Sequence, residues 1–141
     1  MKFAILVFPG SNCDHDAYKV IEGLDGATPT FVWHKESDLS NYDCIIVPGG
    51  FSYGDYLRAG AIARFSPIMT SLINESKKGK LIIGICNGFQ ILLEAGLLEG
   101  ALINNNGVKF KSKNISLIAE NHDTAFTKNI PKNKEIVMPI A

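Results

Sequence analysis

Three short apolar runs constrain this chain most: residues 3–8, Phe-Ala-Ile-Leu-Val-Phe; Cys44–Val47; and Leu81-Ile82-Ile83 within residues 80–85. A strand with one wet face alternates polar and apolar side chains, whereas these runs do not, so they suit strands buried on both faces. Thr28–Trp33 supplies a further strand, and helical patterns fill the intervals between strands. One such helix is expected at 14–24, capped by Ser11, Asn12 or Asp14 and stopped near Gly26. A long one is expected at 57–76, bent at Ser66-Pro67, and another at 89–95. Helical crossovers between successive strands imply a parallel sheet with helices on both faces, a three-layer α/β domain. Beyond Gly96 the rhythm changes. Residues 108–111, 115–119 and Glu135–Ile140 read as strands added antiparallel to the main sheet.

The chain has 141 residues, 14 of them basic and 14 acidic, which suits one domain over 1–141 and gives no electrostatic case for nucleic acid or a membrane surface. Its densest basic cluster, Lys77-Lys78-Gly79-Lys80, reads as a solvated helix end. No apolar stretch reaches the ~20 residues that span a bilayer, and the start has no signal-peptide cleavage site. Cysteines 13, 44 and 86 cannot all pair and form no C-x-x-C, which fits a reducing cytoplasm. The sequons at Asn74 and Asn114 then carry no sugar. The last residues form an apolar strand with no turn or polar tail after it, so the chain is expected to be the N-terminal portion of a longer domain.

The fourth strand runs into Gly84-Ile85-Cys86-Asn87-Gly88, and a helical pattern follows. G-x-C-x-G between strand and helix is the cysteine form of a nucleophile elbow: small residues permit the sharp turn, and the helix aims free N–H groups at the sulfur. The positive end of the helix favours a thiolate. The third strand runs into Pro48-Gly49-Gly50-Phe51-Ser52-Tyr53-Gly54-Asp55-Tyr56, a loop whose three glycines let backbone amides approach a ligand. Carboxyl ends of parallel strands form the binding crevice of such sheets. This loop and the amide of Asn87 could together make an oxyanion hole. Neither segment is a dinucleotide or P-loop phosphate cradle.

Pro9-Gly10-Ser11-Asn12-Cys13-Asp14, residues 48–64 and residues 84–92 resemble the class I (triad) glutamine amidotransferases. The long second block resembles the purine-pathway members, the glutaminase subunits of phosphoribosylformylglycinamidine synthase. The likeness runs the length of the chain but covers about the first three-fifths of a family domain. It implies a flavodoxin-like fold with its C-terminal part missing, and a catalytic Cys86 that forms a glutamyl thioester. It also implies an oxyanion hole from backbone amides of Gly50, Phe51 and Asn87, and glutamine binding at Gln90 and Gly49. The family's triad His and Glu lie downstream and match nothing here, so the chain alone is expected to be inactive. His15, His34 and His122 read instead as exposed loop or helix-end residues.

The resemblance further implies glutamine as substrate and ammonia passed to a synthetase subunit that makes the amidine of formylglycinamide ribonucleotide, with a small accessory subunit. No cofactor or metal is expected in this subunit, and ATP and magnesium belong on the synthetase. Tyr53, Tyr56 and Arg58 make the loop more aromatic than a turn requires and are candidates for docking that partner. Cys13, without elbow glycines, reads as structural, and Cys44 as core. Two other readings stay open: a non-catalytic fragment acting as a binding module, or another cysteine-elbow protein such as the DJ-1-like group, which would leave residues 51–64 unexplained.

Overall fold

A computed structural model describes residues 1–140. Its contacts divide the chain into two compact units, residues 1–102 and 103 onward. In the first, β1 (Lys2–Val7), β2 (Thr28–Trp33), β3 (Cys44–Val47) and β4 (Leu81–Gly84) form one parallel sheet in the order β2-β1-β3-β4. Helices α1 (Asp14–Glu22), α2 (Pro67–Lys77) and α3 (Asn87–Glu94) connect or follow these strands.

The uninterrupted apolar runs do serve both faces. Ala4, Leu6, Ile45 and Val47 point into one core with Ile68, Met69 and Leu72 of α2 and Ile91 and Leu92 of α3. Phe3, Ile5, Cys44 and Ile46 point into the other with Ile21 of α1. The three-layer expectation therefore holds, with α1 on one face and α2 and α3 opposite.

Several expectations need correction. No single helix spans 57–76. A 3-10 turn covers Ser52–Asp55, another covers Ala63–Phe65, and α2 starts only at Pro67. Proline is pre-organised for a first helical position, and the residue before it avoids helical angles. Ser66 accordingly sits at ψ 143° as the N-cap. Helix α1 begins after Cys13, with no side-chain cap, so Ser11 and Asn12 do not cap it and Asp14 is its first residue.

In the second unit, β5 (Lys113–Ile118) and β6 (Glu135–Ile140) pair antiparallel, with Ile115 opposite Met138 and Leu117 opposite Ile136. They form their own two-stranded sheet rather than an extension of the main one. Residues 108–111 form no strand. Val108 and Phe110 are exposed, and the alternation read there buries nothing.

Candidate active site

The strand order reverses between β1 and β3, because β2 lies on one side of β1 and β3 on the other. Ligands of open α/β sheets bind at such a switch point, outside the carboxyl ends of the strands. Here the loop after β1 and the loop after β3 are laced together. Cys13 N–H donates to the Gly49 carbonyl at 3.2 Å, Phe51 N–H to Gly10 at 3.1 Å and Tyr53 N–H to Pro9 at 2.6 Å. Ser11 and Gly50 form an antiparallel bridge. Gly50 has φ 132°, and a side chain on it would collide with the Asn12 amide, so only glycine fits.

Cys86 stands beside this double loop, at φ 50°, ψ −110° immediately before α3. That is a strained conformation for a non-glycine residue and the geometry of a nucleophile elbow. The elbow glycines are required by space. A Cβ on Gly88 would overlap the Val47 carbonyl oxygen, and one on Gly84 would come within 2.6 Å of Leu92 Cδ1 and 2.9 Å of the Gly88 oxygen. Cys86 is exposed, and its sulfur makes no hydrogen bond among the described residues. Gly49 and Cys86 are neighbours: a Cβ on Gly49 would lie 3.4 Å from Cys86 Cβ.

Two of the three amides expected in the oxyanion hole, those of Gly50 and Asn87, donate to no group among the described residues. The third expectation is corrected, because Phe51 N–H is consumed by Gly10 and cannot also serve an oxyanion. Gln90 lies one turn into α3, its amide nitrogen bonded to the Cys86 carbonyl at 3.2 Å.

The sequence reading missed two features. The Asn87 side chain is buried and bonds Ser52, Asp55 and Gln90, although only its backbone had a part to play. Polar type inside an otherwise apolar helix start was the available signal. Cys13 reaches the site: its sulfur is 3.4 Å from the same Gly49 Cβ position. Burial first, then Asp16, the Cys86 thiol and Asp14, push its thiol up, so it stays protonated where Cys86 is open to solvent. Cys44 is buried in the sheet.

The docking candidates separate. Tyr53 packs against the core, and its hydroxyl lies 3.0 Å from both His34 Nδ1 and Ser66 Oγ, so it belongs to the interior. Arg58 is engaged by Glu94. Tyr56 is 72% exposed and has exposed Leu57 beside it in sequence. Of the histidines, His15 is exposed beside Asp14, and His122 is half-buried in the second unit. His34, expected on the surface, is buried against Trp33, Phe8 and Tyr53. No cluster of three His, Cys, Asp or Glu side chains that could hold a metal occurs among the described residues.

The profile of the CobB/CobQ-like glutamine amidotransferase domain matches residues 1–141. The chain is 53% identical over 140 residues to the phosphoribosylformylglycinamidine synthase subunit PurQ of Koribacter versatilis, covering 99% of this chain and 61% of that protein. It is 50% identical over 141 residues to the same subunit of Moorella thermoacetica, covering 100% and 60%. Among solved structures it superposes on a chain of PurLQS from Thermotoga maritima with a TM-score of 0.91 and 49% identity, covering 99% of this chain and 65% of that one. The chain thus spans about three-fifths of the length of the curated relatives it matches. With its elbow cysteine, glycine loop and parallel sheet, it belongs to the CobB/CobQ-like glutamine amidotransferase domain family.

Proposed function

We propose that this chain carries the nucleophile half of a glutaminase that supplies ammonia to a phosphoribosylformylglycinamidine synthase. The observation that carries the reading is Cys86 on its strained elbow, beside two free amides at Gly50 and Asn87. The Cys86 thiolate attacks the carboxamide carbon of glutamine, and the carbonyl oxygen becomes an oxyanion facing those amides. Collapse breaks the C–N bond, releases ammonia and leaves a glutamyl thioester, which water then hydrolyses to glutamate. The base that ionises the thiol and protonates the leaving ammonia is assigned to a segment outside these 141 residues, as the family resemblance implies, since none of His15, His34 and His122 matches the family's triad position.

Ammonia is mostly ammonium at neutral pH and is then no nucleophile, so release inside a complex favours its use. ATP, magnesium and the nucleotide acceptor are assigned to a synthetase subunit, with a small accessory subunit completing the assembly in the cytoplasm. Support for the partner comes from the relatives' names and from an exposed apolar group, Phe51, Tyr56, Leu57 and Phe65, in and after the site loop. Among the described residues, no helix is long and apolar enough to cross a membrane.

Reaction of the complete polypeptide with a diazo-ketone analogue of glutamine, followed by peptide mapping, tests the nucleophile. Label is expected on Cys86, and label mainly on Cys13 or Cys44 would sink the assignment. The 141-residue chain by itself should turn over at least ~100-fold more slowly than the complete polypeptide, since general acid–base assistance is worth about 10²–10⁴-fold. Equal turnover would show that the base lies within these residues.

A further inference from the structure

The face that β2 turns toward α1 carries two large rings where an edge strand ordinarily carries charge. β2 ends the strand order, and Phe31 and Trp33, two residues apart, share this face at 37% and 43% exposure. Val32, between them, points the other way and is buried in the core with α2 and α3. The rings are held in place. Tyr18 of α1 stacks on Phe31 at 4.7 Å, His15 tilts against it at 4.9 Å, and Trp33 meets His34 edge-on at 4.4 Å. Beside them is a cavity of about 310 Å³ lined by Val7, Asp14, His15, Phe31, Trp33 and Glu36. Sites for whole small molecules start at roughly that volume, so the space suits a single side chain.

Two carboxylates line this cavity. Asp14 is buried: its Oδ1 accepts the His15 amide at 2.8 Å and lies 3.0 Å from His15 Nδ1, and its Oδ2 is 3.4 Å from the Ser11 hydroxyl. Glu36 Oε1 accepts the Trp33 amide at 3.0 Å, which closes the turn after β2. Among the described residues its Oε2 has no hydrogen-bond partner and Glu36 forms no ion pair. Lys35, its neighbour in sequence, lines a different cavity with Tyr53 and Phe65, and Lys19 pairs with Glu22. Surplus negative charge beside open rings is complementary to a guanidinium, a flat cation that stacks on rings and bonds carboxylates through several N–H groups. Val7 and Trp33 are the last residues of β1 and β2. The cavity therefore lies at the end of the parallel sheet that also carries Cys86, just past β4.

We propose that this cavity receives an arginine side chain of the synthetase subunit, its guanidinium paired with Glu36 and Asp14 and its plane against Trp33. A partner that covers the carboxyl ends of the strands to collect ammonia meets the cavity in the same docking step. The inference rests on the reading of a synthetase partner and adds to it the chemistry by which the two chains hold each other.

The test uses the complete polypeptide and its synthetase partner in calorimetric titration. Glu36→Gln keeps the bond from the Trp33 amide and loses the charge, so Kd should rise about 10-fold in dilute buffer. Glu36→Arg sets like charges together and should raise Kd more than ~100-fold. Trp33→Leu should raise it about 10–100-fold. Labelling of Cys86 by the diazo-ketone should stay normal in each variant, which excludes misfolding as the cause. Phenylglyoxal modification of the synthetase, read by peptide mapping, should find one arginine protected by the unsubstituted chain and left open by Glu36→Arg. Alanine in place of that arginine should weaken binding about 10-fold to the unsubstituted chain and less than ~3-fold to Glu36→Gln, where the pair is already broken. Unchanged Kd in both Glu36→Gln and Trp33→Leu, or protection of no arginine, would overturn the proposal and leave the glutaminase reading standing. Failure of the unsubstituted chain to bind the synthetase would overturn the partner reading and the inference with it.

Discussion

Arg58 grips Glu94 at two points, Nε to Oε1 at 2.6 Å and a terminal nitrogen to Oε2 at 2.7 Å, tying the glycine loop to the end of α3. The pair depresses the Glu94 carboxyl, chiefly through this hydrogen bonding. It lies at the surface, so water and salt discount it. Arg58→Ala should lower Tm by about 1–3 °C in dilute buffer, and the difference should vanish near 1 M salt. Arg58→Lys should not restore the loss, since an ammonium cannot match a carboxylate at two points. Calorimetry at two salt concentrations decides; a loss independent of salt would assign Arg58 a packing role.

Tyr53 and Tyr56 are three residues apart and should behave oppositely. Tyr53→Phe removes a hydroxyl placed between His34 and Ser66 and should cost about 1 kcal/mol of stability. Tyr56→Ser, at an exposed ring, should leave stability within about 0.5 kcal/mol and weaken binding to the synthetase. Denaturant titration and a binding isotherm on each variant separate the two. Unaltered binding in Tyr56→Ser would move the docking surface elsewhere.

Gly88→Ala places a methyl inside the Val47 carbonyl oxygen and should destabilise by about 3 kcal/mol or more, because a Cβ has no rotamer to escape by and the group it meets is backbone. Gly26→Ala meets no atom within 4 Å and pays only for its left-handed φ of 73°, about 1 kcal/mol. Urea unfolding of both variants checks the ranking, and equal losses would contradict the packing account of the elbow.

Burial, with a smaller contribution from Lys35, pushes the His34 imidazole below its usual value. The unfolded chain gains a proton near pH 6.5, while the folded chain resists until lower pH. The unfolded state then binds more protons, so stability should fall as pH drops below about 6.5. Glu75 adds a second loss at lower pH. Lys78, then Lys80, hold its carboxyl below the usual range, so its contribution is present above about pH 4.3 and disappears on further acidification. Thermal melts from pH 8 to about 2 should decline in both windows, and His34→Gln should flatten the upper one alone.

Apolar runs at residues 3–8 and Cys44–Val47 determine the centre of the sheet without help from distant residues, because burial on both faces is written into each run, whereas the equally apolar Leu81–Gly84 ends the strand order and is only half-buried. Gly84, Cys86 and Gly88 determine the elbow for the same reason: the turn needs small residues two positions either side of the sulfur. The stretch from 57 to 66 was illegible as structure, since its helix-forming composition gives way to loop-to-loop bonding and to a helix start at Pro67. Residues 108–111 misled because alternation signals a strand only where a partner strand pairs with it.

Tertiary structure alone decided how the site is wired. Parallel pairing of β3 with β4 brings the 48–55 loop beside α3, and only then can Asn87 reach Ser52 across 35 residues and Asp55 across 32. Parallel pairing of β1 with β3 lets Gly10 consume the Phe51 amide, leaving Gly50 and Asn87 as the free donors. Hydrogen-bond direction depends on which partner arrives in space. A sequence names the amide but does not say which way it faces.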